Sequence, residues 1–506
     1  MDSLSQMLRA TAHRRPDAPA LRAASTSVTW AQLAGAVETV AGGLHELGMR
    51  RGDRLGMILP NCPQFVITYF ATVRLGAIAV PVNPLLAPVE VAYIAQDAGM
   101  RMMVAAEHTA PLAQAAAAQC PALEQLVVVG ETVPDGAVDF AALMAARPGE
   151  MPEPGAGEDV AALLYTSGTT GRPKGAMLTH RNLIANAAAC VEAIDVCADD
   201  IFLAVLPLFH SFGATVCMIT PVLAGCAAVL VPRFEPLPVL EVIERERVTI
   251  FAGVPSMFAW LAGLKGAPSF DTSSLRLCIS GGAPLPIEIV EPFEARYQTT
   301  LVEGYGPTEA SPVVSVNRSL QARKLGSVGP PLPGVEVRIC DDEGRDLPPG
   351  EVGEVWVRGP NVMKGYWRAP EQTAETMRAG WLLTGDLGRV DEDGYLYIVD
   401  RKKDLIIVGG LNVYPREVED VIRRLPEVRD CAVIGVRSPM HGERVKAFIE
   451  LHEGQSLDTE RVLTHCHEHL ARYKVPRALE VVDALPRSAT GKVLKRELRA
   501  RESGSR

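Results

Sequence analysis

Residues 166–175 read TSGTTGRPKG, a loop in which seven of ten residues are Ser, Thr or Gly and a lysine stands near the end. Glycine lets backbone N–H groups approach an anion closely, and the hydroxyls of Thr166, Ser167, Thr169 and Thr170 can donate to phosphate oxygens. Lys174 adds a mobile positive charge. The spacing, Gly168-x-x-Gly171-x-x-Lys174, is not that of a Walker A loop, and no Ser or Thr follows the lysine. Read alone, the segment is a phosphate loop or a surface turn. Glu309, in GYGPTEAS, is a carboxylate on a Gly/Pro-rich loop and a suitable hard ligand for Mg²⁺. SGGAPLP (280–286) offers backbone able to pass close to a flat base. Asp386 could accept both hydroxyls of a ribose, and Arg401 could anchor oxygen acceptors through its fork. Lys492, in RSATGK, reads by itself as a solvated lysine.

Several of these segments, in this order, resemble the signatures of the adenylate-forming (AMP-binding) enzyme superfamily. They are TSGTTGRPKG, LPLFHSFG (206–213), SGGAPLP, EGYGPTEAS (303–311), the stretch 381–415 and PRSATGKVLKREL (486–498), which together cover essentially the whole chain. Among the members, the resemblance is to acyl-CoA synthetases of the fatty-acid–CoA ligase type. It implies use of ATP, Mg²⁺ and coenzyme A. It puts Glu309 and Thr166 near Mg²⁺, Thr308 on phosphate, and Gly282, Ala283, Tyr305 and Gly306 around adenine. Asp386 and Arg401 would serve the ribose. Lys492 would touch both the substrate carboxylate and the α-phosphate, Lys403 would be the pivot of a hinge, and Gly409 and Gly410 would lie along a pantetheine tunnel. His210 matches a residue beside the carboxylate site.

The implied chemistry is carboxylate plus ATP to acyl-AMP and pyrophosphate, then acyl-AMP plus CoA to acyl-CoA and AMP. PLFHSFG carries no acid to hold an ammonium group, which argues against an amino-acid substrate. The uncharged run through Phe212, Val216, Ile219 and Val222 suits an apolar tail. A medium- or long-chain fatty acid is the first expectation. An aryl or cinnamate-type acid is the second, and a fatty acyl-AMP ligase serving a carrier protein remains an alternative. A luciferase-like fate of the adenylate and an inactive scaffold relative are further readings. The second is weakened by the joint presence of Lys174, Glu309, Asp386, Arg401 and Lys492.

The whole chain has 506 residues and a net charge of −10, which disfavours a general nucleic-acid binder. Ten scattered cysteines form no CxxC pair and suit a reducing cytoplasm. The 32 residues between Asp200 and Arg233 hold no Asp, Glu, Lys or Arg, but Pro207, Gly213, Pro221 and Gly225 punctuate them. They are expected to form a buried strand–loop–helix–strand piece, not a membrane span. Arg9, Arg14 and Arg15 read as a solvated helix face, with peripheral membrane contact and a homodimer left open. His465-Cys466-His467-Glu468-His469 invites a metal reading, but HExxH is absent and an exposed helix is expected.

Alternating helical and strand-like patterns predict an α/β fold. We expect a large multi-subdomain N-terminal domain over 1–400, with mixed and parallel sheets packed by helices and a small β-rich subdomain over about 326–400. A hinge is expected at 401–403, followed by a small mobile α+β C-terminal domain over 404–506 that carries Lys492. That last segment reads as βααβ-type material, with EVEDVIRRL as an amphipathic helix.

Overall fold

The computed structural model describes the chain except for residues 25, 147–150, 168–172, 265, 267, 319–321, 409–410, 439–441, 489–490 and 505–506. It is an α/β protein of two compact units. One is Met1–Val337 with Val357–Leu382, and the other is Arg338–Trp356 with Leu383–Arg506. The packing boundaries thus fall earlier in the chain than the hinge expected at 401–403, which is a proposal about motion.

The larger unit holds two eight-stranded sheets. In the first, the strands Leu301–Tyr305, Leu277–Ser280, Ile250–Gly253, Ile201–Ala204, Ala227–Leu230 and Pro19–Ala23 run parallel in that spatial order, with antiparallel strands at both edges. In the second, the strand Val160–Ser167 pairs in parallel with Ile78–Pro81 and antiparallel with Pro173–Thr179. Near-continuous apolar strands such as LCIS and IFAG are buried along their length, as parallel strands covered by helices require. Phe251, Phe258, Phe293 and Tyr297 stack in sequence within one core, with ring centroids 5.0, 5.1 and 4.9 Å apart.

The uncharged run forms the strand Ile201–Ala204, a helical stretch with a π-helical turn at Thr215–Ile219, and the strand Ala227–Leu230. Among the described residues no helix is long and apolar enough to cross a membrane. Arg14 and Arg15 do more than face solvent. Arg14 donates to Leu223 O at 3.2 Å, and Arg15 donates to Gly225 O at 3.1 Å and also to Ala198 O. They satisfy carbonyls where the helix Thr220–Ala224 ends.

The smaller unit contains most of the hairpin of Trp381–Val390 and Leu396–Arg401, whose register sets Asp386 opposite Arg401. It also contains a five-stranded sheet. Long antiparallel strands Val428–Ser438 and Gly442–Leu451 form its centre, and Ala478–Val482 joins in parallel. The helix Pro415–Ile422 is the amphipathic one expected from EVEDVIRRL, and it buries Val418, Val421 and Ile422. The unit is richer in strand than the βααβ expectation.

Asp200 is a buried anchor of the larger unit. It accepts two hydrogen bonds from Arg276, at 2.8 and 2.7 Å, one from Thr249 Oγ1 at 2.7 Å and one from Cys197 N–H at 2.9 Å. Burial opposes its charge, but Arg276 and the other donors hold its pKa below the ordinary value. Replacing it leaves Arg276 and two further donors uncompensated. Asp200→Ala is therefore expected to lower the unfolding free energy by about 2–3 kcal/mol, seen as an earlier midpoint in urea.

Candidate active site

In the larger unit the site begins where the strand Val160–Ser167 ends. Thr166 Oγ1 lies 3.4 Å from Glu309 Oε1. The Tyr366 hydroxyl donates to the same carboxylate oxygen at 2.8 Å. Lys174 Nζ stands 5.3 Å from the centre of the Tyr366 ring. Burial, reinforced by the Glu309 charge, pushes the Tyr366 pKa well up, so this hydroxyl remains a donor across the working pH range. Gly168, Thr169, Thr170 and Gly171 lie outside the described residues, as does the side chain of Ser167.

Glu309 sits in a turn that several distant residues hold. Val314 N–H donates to Tyr305 O at 2.8 Å, which closes the loop on itself. Asn186, on the helix His180–Ala193, donates to Val313 O at 2.7 Å and accepts from Val313 N–H at 3.1 Å. Asn361 donates to Ala310 O at 2.9 Å. Asn182 donates at 2.8 Å to both Pro360 O and Val362 O. Buried side-chain amides thus do for this irregular backbone what a sheet ladder does elsewhere.

Neighbouring loops converge on that turn. Thr308 Oγ1 and Ser211 Oγ are 3.0 Å apart, and Thr215 Oγ1 donates to Ser311 O at 2.7 Å. His210 starts the short helix Ser211–Ala214, and its Nδ1 accepts from Phe212 N–H at 3.3 Å. The glycine turn of SGGAPLP meets the Phe212 ring: a Cβ added at Gly281 would lie 3.0 Å from that ring and 3.4 Å from Gly304 O. Gly282 next to it has φ +78°. So Gly281 and Gly282, the Tyr305–Gly306 segment, Thr308, Phe212 and Glu309 belong to one connected set of loops.

The donor set at Thr166 and Glu309 is all oxygen, one hydroxyl and one carboxylate. That chemistry fits a hard ion such as Mg²⁺.

In the smaller unit, Arg401 Nε contacts Asp386 Oδ1 at 3.2 Å across the hairpin, and the Asp386 side chain is buried. The Lys492 ammonium belongs to the same charge cluster. Lys492 is exposed as a residue, yet protein atoms crowd its ammonium; this desolvation and the positive charges of Arg401 and Lys403 pull its pKa down to about 8, against the partial support of Asp386 and Asp404. Burial and Arg401 also lower the Lys403 pKa. Three residues further on, Lys495 behaves oppositely. Its ammonium pairs with Glu419 at 2.7 Å, and its pKa is raised despite burial, chiefly by Glu419 and Asp400. Lys495 is a structural cation, whereas the Lys492 ammonium is set among like charges that lower its proton affinity. Asp404 anchors Arg499 at 2.7 Å, which ties the helix Lys495–Gly504 to the segment that follows the strand Leu396–Arg401. Gly409 and Gly410 lie outside the described residues.

Residues 8–367 match the AMP-binding enzyme family, and residues 417–492 match the AMP-binding enzyme C-terminal domain. The chain belongs to this family. Similar proteins include a feruloyl-CoA synthase from an Amycolatopsis species, 41% identical over 97% of each chain. A long-chain-fatty-acid–CoA ligase from Bacillus subtilis (strain 168) is 37% identical over 99% of this chain and 95% of its own. Among solved structures, an anthranilate CoA ligase in complex with anthranoyl-AMP is 33% identical, with a TM-score of 0.92 over 99% of this chain and 97% of that one. Use of ATP and acid–CoA ligase activity are supported at this coarse level, and the acid is a separate question.

Reading the sequence missed Tyr366, which lies 57 residues from Glu309. Its segment, KGYWR, has no spacing that marks a partner for a carboxylate. It also missed the asparagines that hold the Glu309 turn. Asn186 and Asn361 are single amides far apart in sequence, and only buried carbonyls give them a role.

Gly306 has no room for a side chain: an added Cβ would lie 1.7 Å from Pro312 O. Gly306→Ala must open the Glu309 turn. The expected outcome is a loss of about 2–4 kcal/mol of stability in urea unfolding and loss of the thermal stabilisation that ATP confers.

Proposed function

We propose that the chain joins a carboxylic acid to coenzyme A in two steps, and that the acid is aromatic or cinnamate-like. In the first step the carboxylate oxygen attacks the α-phosphorus of ATP, and pyrophosphate leaves. In the second the CoA thiol, as thiolate, attacks the acyl carbon and AMP leaves, its phosphate taking the negative charge. Both reactants of the first step are anions, so positive charge and oriented donors must offset their repulsion. Mg²⁺, held by Glu309 and Thr166, would neutralise charge on the polyphosphate. The chain's own groups do the rest. Tyr366 fixes the Glu309 carboxylate, Lys174 and Thr308 offer charge and a hydroxyl to phosphate, and Asp386 with Arg401 receives the ribose. Lys492 is the cation for the forming acyl-phosphate bond, and the hinge role of Lys403 belongs to this same reading.

The observation that carries the choice of acid is the half-buried Phe212 ring, set beside Gly281 and next to Ser211, which meets Thr308. An aromatic side chain at that place suits an aromatic acid. The similarity to a feruloyl-CoA synthase supports the same choice over the fatty acid expected first. The fatty-acid reading is kept as the second, supported by the similarity to long-chain ligases and by the buried Val216, Ile219 and Val222.

A screen of CoA-dependent AMP release tests the assignment. Ferulate, cinnamate and benzoate should give kcat/KM at least about tenfold above octanoate and palmitate, the discrimination that one or two well-filled contacts supply. The reverse order would return the fatty acid to first place.

Lys492→Ala should lower acid-dependent pyrophosphate exchange by about 100- to 1000-fold. Thioester formation from supplied acyl-adenylate should stay largely intact, and equal loss of both would remove Lys492 from the first step. The lowered pKa gives the pH dependence its sign. The ammonium is charged below about 8 and neutral above it. Pyrophosphate exchange should therefore fall as pH rises through about 8, and Lys492→Arg should abolish that limb.

A further inference from the structure

The smaller unit carries a second cluster of ligand-type side chains, on the helix Thr459–His469, that plays no part in the chemistry above. His465, Glu468 and His469 each bring one donor atom within 4.8 Å of the other two. The two imidazole rings lie 4.4 Å apart between centroids. Their spacing of three and four residues puts all three on one helix face.

Hydrogen bonds select the tautomer of both rings. His465 Nε2 is 3.1 Å from Val421 O, and His469 Nδ1 is 2.9 Å from His465 O. A carbonyl oxygen only accepts, so the ring proton of neutral His465 is on Nε2 and that of neutral His469 is on Nδ1. The other nitrogen of each ring then carries a lone pair. A metal-binding histidine is typically held in this way, with its second nitrogen donating to a carbonyl. His465 is also half-buried against the neighbouring helix Pro415–Ile422, so its ring is oriented before any ion arrives. Glu468 is exposed, and rotation of its side chain can complete the set.

We propose that His465, His469 and Glu468 form a binding site for a divalent transition ion, zinc first, separate from the magnesium-type oxygen set at Thr166 and Glu309. Two imidazoles and one carboxylate are the donors that zinc takes, and they discriminate against Mg²⁺, which prefers oxygen. Water would complete the coordination. The ion would fasten the end of the helix Thr459–His469, through His465, to Val421 on the helix Pro415–Ile422. Because both helices pack in the core of the smaller unit, its binding would add to the stability of the fold that carries Lys492. The inference does not depend on which acid the enzyme activates.

The test is titration of the untagged full chain with Co²⁺ and then Zn²⁺, without nucleotide and after chelator treatment. One equivalent of Co²⁺ should give weak visible bands of a nitrogen–oxygen site, and Zn²⁺ should displace it and raise the thermal midpoint. His469→Ala should weaken binding by at least about tenfold, on the scale of losing one metal-site contact. Glu468→Gln, at an exposed position that does not threaten folding, should weaken it as well. His467→Ala and Glu309→Gln should bind as the parent does. An intense thiolate-to-cobalt band, the absence of stoichiometric binding, or equal affinity in Glu468→Gln and the parent would each overturn the assignment.

Discussion

Electrostatic repulsion between a carboxylate and a polyphosphate is the constraint around which this chain is organised. In water the two anions are screened and hydrated; in a protein site, positive charge and fixed donors must replace that hydration. The larger unit fixes a carboxylate, hydroxyls and a lysine around Tyr366, and the smaller one gathers Arg401, Lys403 and Lys492 about Asp386. Crowding cations has a cost, and it appears as the lowered proton affinity of Lys492.

Precision in the larger unit comes from amides, not from charge. The Glu309 turn has no sheet partner for much of its backbone, so Asn186 and Asn361 reach it from a helix and a distant loop. Each buried carbonyl that they satisfy would otherwise carry a desolvation cost of about 1–3 kcal/mol. Gly306 and Gly281 are the counterpart of these amides. At Gly306 the Pro312 carbonyl leaves space only for hydrogen, and at Gly281 the Phe212 ring leaves a tight fit.

The two lysines at the chain's end show how position decides role. Lys492 and Lys495 share a short segment and the same intrinsic chemistry. Glu419 and Asp400 make one a buried ion-pair partner, while Arg401 and Lys403 push the other toward its neutral form. The contrast separates a lysine that holds the fold together from one suited to meet an incoming anion.

The ordered segments from Thr166 to Lys492 identified the family and the groups able to carry its chemistry, because residue type and local spacing are properties of the chain itself. The α/β alternation was legible for the same reason, and so was the buried nature of the long uncharged run, whose prolines and glycines break it. Spacing could not reveal Tyr366 on Glu309, the amides that hold the Glu309 turn, or the carbonyls that select the ring tautomers of His465 and His469. Nor could it show that Phe212 meets Gly281, since the two lie far apart in the chain. These features depend on approach between distant segments and on local desolvation, and both arise only when the tertiary structure packs.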